Sequence, residues 1–161
     1  MIRAADQRDL PAILEITNDA ILSGTALWTI TPQTLADRHA WMMGRREAGF
    51  PVLVAEQDGA VRGFGSYGAF RPHDGYARTV EHSLYVHAQA RRAGIGSALL
   101  AALVARAQEA GKHVMIGGIE AENHASIALH ERAGFVRAAV LPQVGRKFER
   151  WLDLLFMYRM L

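Results

Sequence analysis

Cysteine is absent from this chain of 161 residues, which excludes disulfide frameworks, thiolate zinc sites, iron–sulfur clusters and a cysteine nucleophile. Proline is scarce, at 5 residues, and no repeat, linker or low-complexity run divides the chain. An excess of one charge is also missing: 18 Lys and Arg stand against 16 Asp and Glu, a net of +2. That gives little non-specific hold on nucleic acid or on a membrane surface. The basic pairs Arg45-Arg46, Arg91-Arg92 and Arg146-Lys147 are scattered rather than a stripe with aromatics, so no nucleic-acid partner is expected. The longest apolar run, Ala98 to Ala105, is too short to cross a bilayer, and Met1 to Asp6 has no apolar leader core. A cytoplasmic protein without a membrane partner is the expectation. Among the histidines, His39, His73, His82, His87, His113, His124 and His130, none has metal-ligand spacing to another ligand, so no metal is expected.

What is present is a core. Half of the residues are apolar, and the length suits one domain of roughly 150 residues. Ile2 to Ala5 reads as a strand, and Asp9 stands as N-cap before a helix carrying Leu10, Ile13, Leu14 and Thr17 on one face. Thr31 and Pro32 open a second helix, closed by Gly49, with an apolar face of Leu35, Ala36, His39, Met42 and Met43. Pro51 to Glu56 and Val61 to Tyr67 are strands joined at Asp58-Gly59. Then come a polar loop from Phe70 to Arg78, a strand from Thr79 to Val86, and a helix running to about Glu109. His113 to Ile119, Phe135 to Val140 and Trp151 to Tyr158 read as strands, and Asn123 to Ala133 as a helix. The order β-α-α-β-β-β-α-β-α-β-β implies an α/β (α+β) domain with a mixed sheet and helices on its faces.

The most informative stretch is Arg91-Arg92-Ala93-Gly94-Ile95-Gly96-Ser97, between a strand and a strongly helical run. Glycines there let a ligand approach the backbone, and the free N–H groups of a helix start favour an anion. A plain turn that binds nothing is the alternative. No Gly-Lys-Ser/Thr follows, which excludes a Walker loop. A dinucleotide fingerprint fails as well, because Leu99 stands where its third glycine belongs.

Arg-x-x-Gly-x-Gly opening a helix resembles the pyrophosphate-binding motif of the GCN5-related N-acetyltransferases (GNAT). Asn123-x-x-Ser126 through His130-Glu131-Arg132-Ala133-Gly134-Phe135 resembles a second segment of that superfamily. Two further stretches, Thr79 to Val86 and Val144 to Leu154, look like its phosphinothricin and methionine sulfoximine N-acetyltransferase branch. The similarity spans nearly the whole chain, with Ala88 where relatives often have proline. It implies a single domain over residues 1–161, a mostly antiparallel twisted sheet, and acetyl-CoA as cosubstrate. Residues Arg91, Arg92, Ala93, Gly94, Ile95, Gly96 and Ser97 would hold the pyrophosphate, and Leu84, Tyr85 and Val86 would pair with the pantetheine arm like an added strand. Asn123 and Ser126 would meet the pantetheine, although Asn123 also suits a helix cap.

Acetyl transfer to an amine needs a deprotonated amine, a stabilised oxyanion and support for the departing thiolate. The resemblance makes Glu81 the base, directly or through water; a structural ion pair with Arg71 or Arg78 is the alternative. A backbone N–H near Val86 would serve the oxyanion. His130 stands where the wider superfamily has a tyrosine acid and would assist the thiolate. Acceptors in this branch are amino-acid analogues, so Arg71 or Arg78 is the natural carboxylate clamp. Pro72, His73, His82 and Ser83 complete the implied acceptor site, with Lys147 and Phe148 as extra residues of it, in the same chain or reaching a partner subunit. Strand alternation puts His82 on the sheet face opposite Glu81. Trp151, Leu152, Leu154, Leu155, Phe156 and Met157 exceed what one strand face buries, which with the resemblance suggests a homodimer. The competing functions are acetylation of a protein amino terminus or a polyamine, and a non-catalytic acyl-CoA-binding module.

Overall fold

A computed structural model describes residues 1–161. Seven strands form one sheet in the order β1-β2-β3-β4-β5-β7-β6: β1 Ile2–Ala4, β2 Val52–Gln57, β3 Ala60–Ala69, β4 Thr79–Val86, β5 Val114–Glu120, β6 Val136–Lys147 and β7 Arg150–Met160. Helices α1 Leu10–Ser23 and α2 Leu35–Glu47 cover one face, and α3 Ile95–Glu109 and α4 His124–Arg132 cover the other. Every strand pair is antiparallel except β4 and β5. The element order is the expected one, with short 3-10 turns added.

Side-chain alternation builds two cores. Leu53, Ala55, Val80, Met115, Leu155 and Met157 face α3 and α4, where they meet Leu99, Leu100, Leu103 and Ile127. Val52, Val54 and Phe64 face Leu10, Ile13, Ile16 and Met42 of α1 and α2. Gly63 and Gly65 let α3 sit close on β3; a Cβ at Gly65 would lie 3.0 Å from Leu103.

Several expected boundaries move. Helix α2 starts after Thr34, not Thr31: Thr34 and Asp37 form a reciprocal capping box, Thr34 N–H donating to Asp37 Oδ2 at 2.7 Å. Asn18 holds Gln33 by two hydrogen bonds and keeps the preceding segment extended. The inner face of α2 is also rotated. Leu35, Ala36 and His39 are exposed, while Arg38 and Met42 are buried and Trp41 and Arg45 half-buried. Asp9 precedes α1 without capping it, because its carboxylate takes Arg3 at 2.7 and 2.8 Å and the N–H of Asp6.

Strands β6 and β7 are longer than expected. A two-residue turn, Phe148-Glu149, joins them with φ of 51° and 60°, the twist-matched hairpin geometry without glycine. Lys147, just before it, is 2% exposed. Its ammonium donates to the carbonyls of Leu27 at 2.6 Å, Ala20 and Gly24. It closes the C-terminal end of α1, where orphan carbonyls need donors. Beside it, Gly145 lies under the Trp28 ring with no room for a Cβ. Lys147→Met leaves those carbonyls unpaired at a cost of about 1–3 kcal/mol. The melting temperature should therefore drop by roughly 3–10 °C. An unchanged melting curve by circular dichroism would contradict that role.

Candidate active site

The site begins where two strands part. β4 and β5 pair only from Thr79↔Val114 to His82↔Gly117. Beyond that point Leu84, Tyr85 and Val86 lose their neighbour on that side, and Gly118 to Glu120 pair with β7 alone. The cleft widens into a cavity of about 690 Å³ whose lining includes Leu84, Tyr85, Val86, Asn123, Ser126 and the turn into α3. Every residue expected to hold the cosubstrate lines it except Ala93.

Helix α3 points its start into this cavity. Gly94 is its N-cap at φ 79° and offers no side-chain cap, so the N–H groups of Ile95, Gly96 and Ser97 stay free. Arg92 is left-handed as well, at φ 65°, and a loop so shaped turns successive N–H groups inward as an anion nest. A Cβ placed on Gly96 would meet only ordinary contacts, the nearest being Leu129 at 3.5 Å. Its bareness therefore serves the cavity, not the packing. Asn123 does cap α4, accepting the N–H of Ser126 at 3.1 Å. Its amide NH₂ remains an unused donor at the cavity wall.

At the vertex of the cleft two histidines stack. His82 and His130 have ring centroids 5.0 Å apart and Nε2 atoms at 3.0 Å, with Phe135 edge-on to both. His130 Nδ1 donates to the Ser126 carbonyl at 2.7 Å, which fixes its tautomer because a carbonyl has no proton to give. With His130 neutral, its Nε2 is bare and accepts from His82 Nε2–H. Burial pushes His82 down to about 3 and lowers His130 also. At rest, then, the one proton of neutral His130 is held on the Ser126 carbonyl. Gly117 makes the pair possible: a Cβ there would lie 2.9 Å from His82 Nε2. As alternation requires, His82 packs toward α4 and Glu81 faces the other side.

On that other side is a second cavity, about 300 Å³, lined by Glu81, Ser83, Tyr85, Arg45, Gly68, Trp28, Gly118 and Glu120 among others. It shares Ala26 and Tyr85 with the larger cavity. Glu81 lies over Gly118, its Oε1 3.3 Å from where a Cβ would be. It makes no direct ion pair. Burial holds its carboxyl above the ordinary glutamate range, and the Arg71 and Arg45 cations pull it partway back.

The remaining expected residues divide. Ser83 lines the second cavity. Arg71, Pro72 and His73 are exposed; Arg71 lies 4.2 Å over the Phe70 ring and donates to the Phe70 carbonyl. Arg78 is exposed, and its carbonyl binds His113 and Val114 at the far, paired end of β4. Neither Lys147 nor Phe148 lines the cavity of its own chain: the end of α1 and the segment after it take the Lys147 ammonium, and Phe148 is exposed at the hairpin tip. Two charged lining residues, Arg45 and Glu120, are not among those expected from the sequence. The signal for Arg45 is the spacing of Arg38, Trp41, Met42 and Arg45 at i, i+3, i+4 and i+7 on one helix face.

A split sheet with free helix N–H groups on one side and a desolvated carboxylate on the other defines an acyl-transfer fold. Residues 12–135 match the acetyltransferase (GNAT) family, and the chain belongs to that family. It is 52% identical, over 97% of its length and 91% of the relative's, to the L-methionine sulfoximine/L-methionine sulfone acetyltransferase of Pseudomonas paraeruginosa. The phosphinothricin N-acetyltransferase of Alcaligenes faecalis is 37% identical over 98% of this chain and 81% of that one. Among solved structures, a GNAT superfamily phosphinothricin acetyltransferase from Sinorhizobium meliloti in complex with acetyl-CoA superposes with a TM-score of 0.97. It is 38% identical, with 100% of this chain and 88% of that one covered.

The Glu81 environment makes a prediction that needs no turnover. Glu81 titrates above an ordinary glutamate, and Arg71→Met removes one of the two cations that favour its ionised form. The titration midpoint should then move to higher pH. Carboxyl-carbon NMR follows it directly, and an identical midpoint in the variant would break the coupling.

Proposed function

We propose that this chain transfers the acetyl group of acetyl-CoA to the amino group of a small amino-acid analogue of the methionine sulfoximine or phosphinothricin kind. The observation that carries this is the meeting of two cavities at Tyr85, one rich in free N–H groups and the other holding a desolvated carboxylate. The donor cavity fits acetyl-CoA on its own chemistry. The Ile95, Gly96 and Ser97 amides receive the pyrophosphate, and the unpaired edge at Leu84 to Val86 receives the pantetheine as an added strand. When bound, acetyl-CoA supplies the activated acyl group.

The protein's residues do the rest. Glu81 removes the proton from the acceptor's ammonium, directly or through a water, and its raised pKa matches it better to that task than an ordinary glutamate. The unpaired main-chain N–H groups beyond Ser83 are oriented to stabilise charge on the carbonyl oxygen. His130 and His82 hold the vertex. The acceptor cavity, at about 300 Å³, suits a single amino acid better than a peptide. The named relatives support the same substrate class.

A homodimer belongs to this reading. β6 is an edge strand, and it exposes Val136, Val140, Leu141 and Val144 beside Phe148 and Trp151 of the hairpin. An apolar edge that long invites a second copy. Buried Leu152, Leu155 and Met157 belong instead to the monomer core. A cytoplasmic location agrees with acetyl-CoA as a cytoplasmic metabolite.

Incubation with acetyl-CoA and methionine sulfoximine should release free thiol, and no release with any amino-acid analogue would reject the substrate class. Glu81→Gln keeps shape without basicity and should slow turnover by roughly 10²–10⁴ while CoA binding survives. Gly96→Val should abolish CoA binding by calorimetry; unaltered affinity would remove the assignment at the α3 start. Light scattering at micromolar protein should give twice the chain mass, and a monomeric mass would defeat the dimer.

A further inference from the structure

The acceptor cavity contains a cation with no protein partner. Arg45 is half-buried and lines the cavity that holds Glu81, and its side chain makes no hydrogen bond and no ion pair. Its guanidinium lies directly over Gly68 of β3, where any side chain would occupy the same space. The backbone has thus been kept bare to seat it. Burial lowers its pKa, with Glu81 as the only offsetting charge.

Arg3, Arg46 and Arg71 are provided for. Arg3 is paired with Asp9 and Glu56, and Arg46 donates to the Ala5 carbonyl. Arg38, seven residues before Arg45 on the same face, has only the Trp41 ring, 4.5 Å from its guanidinium, and its Nε is buried without a hydrogen-bond partner; unlike Arg45 it does not line the cavity that holds Glu81. Arg71 lies over Phe70 and on its carbonyl. A desolvated guanidinium without an anion costs free energy, and one that lines an open cavity is placed to recover that cost from an anion entering it. Here the partner is the acceptor.

We propose that Arg45 binds the acceptor's carboxylate, resting on the acetyl-transfer reading above. The charges that face it in the cavity are Glu81 and Glu120, and the exposed Arg71 also acts on Glu81. Glu81 receives the ammonium. In an α-amino acid the carboxylate is bonded to the carbon that carries the nitrogen, so a cation near the base must meet it; Arg71 and Arg45 both act on Glu81, and of the two only Arg45 lines the cavity. A planar guanidinium can take both oxygens at once. Arg71 and Arg78, the arginines that the loop sequence offers first, are exposed and lie outside the cavity lining. Specificity for a free α-carboxylate is therefore set from α2, beneath the loop.

The test compares methionine sulfoximine with the amine that lacks only its carboxylate, 3-aminopropyl methyl sulfoximine. In the unaltered protein kcat/KM favours the acid. Arg45→Met should collapse the acid-to-amine ratio by roughly 10²-fold, mostly through KM for the acid. Arg45→Lys, which keeps charge and loses the planar fork, should fall between. If Arg45 merely tuned Glu81, both acceptors would lose rate together and the ratio would stand. An unchanged ratio, with or without lost activity, overturns the proposal. CoA calorimetry on each variant verifies the fold. Absence of thiol release by the unaltered protein with either acceptor would instead defeat the acetyl-transfer reading itself.

Discussion

The structure depends on one interrupted strand pairing. β4 and β5 form the only parallel ladder of the sheet, and it ends after His82↔Gly117. Had it continued, Leu84 to Val86 would have satisfied their backbone groups within the protein and no donor cleft would exist. The stop is built from side chains. The His82–His130 hydrogen bond crosses above Gly117 and ties β4 to α4 at the level where the strands separate. α4 in turn begins at Asn123, on the far wall of the cleft. The vertex is thus braced by a buried polar pair, and His82 Nδ1 is left buried without a partner. Such an orphan atom is a known cost of low-dielectric interiors and tends to persist where function requires the surroundings.

Opposite charges are distributed on the same plan. Where arginines and carboxylates stabilise the monomer, they meet: Arg3 clamps Asp9 at 2.7 Å and Glu56 at 2.7 Å. In the acceptor cavity they are held apart. Glu81, Glu120 and Arg45 line one small space with no ion pair among them. Two glycines, Gly68 under Arg45 and Gly118 under Glu81, keep the floor flat between them. Collapse of the pair onto each other would be favourable for an empty protein. The fold prevents it by mounting them on α2 and β4, which the sheet and the second core keep rigid. Preorganised charges of this kind are what a zwitterion with a fixed N-to-carboxylate spacing can recognise.

How much of this can be read from the residues follows from the range of the forces involved. The element order and the Gly94–Gly96 turn are legible, because capping, turn chemistry and strand alternation are local. Alternation alone places His82 and Glu81 on opposite faces correctly. The start of α2 is ambiguous in sequence because Thr31-Pro32 and Thr34-x-x-Asp37 are both local helix signals, and the choice between them is made by Asn18, fifteen residues from Gln33. Arg45 escapes a sequence reading for a related reason. The spacing of Arg38, Trp41, Met42 and Arg45 marks one face, but that face looks polar in sequence, and the bare Gly68 that seats Arg45 lies across the interface on another element. Lys147 shows the converse: its resemblance suggests an acceptor residue, while the folded chain uses its charge on carbonyls 120 to 127 positions away.

That long-range use of Lys147 couples parts of the molecule that are otherwise separate. The chain leaving α1 supplies Ser23, Gly24, Thr25 and Ala26 to the donor cavity, and Ala26, Leu27 and Trp28 to the acceptor cavity. Its position is set from the β6–β7 hairpin, by Lys147 on its carbonyls and by Gly145 beneath the Trp28 ring. The same hairpin carries Val144, Phe148 and Trp151 exposed on its outer side. A second copy seated on those side chains would press on the strand that holds the shared wall of both cavities. The wall that both cavities share is defined only as well as the hairpin is. In a sheet whose edge strand is otherwise free, rigidity at that hairpin is what converts an open cleft into a site of fixed dimensions.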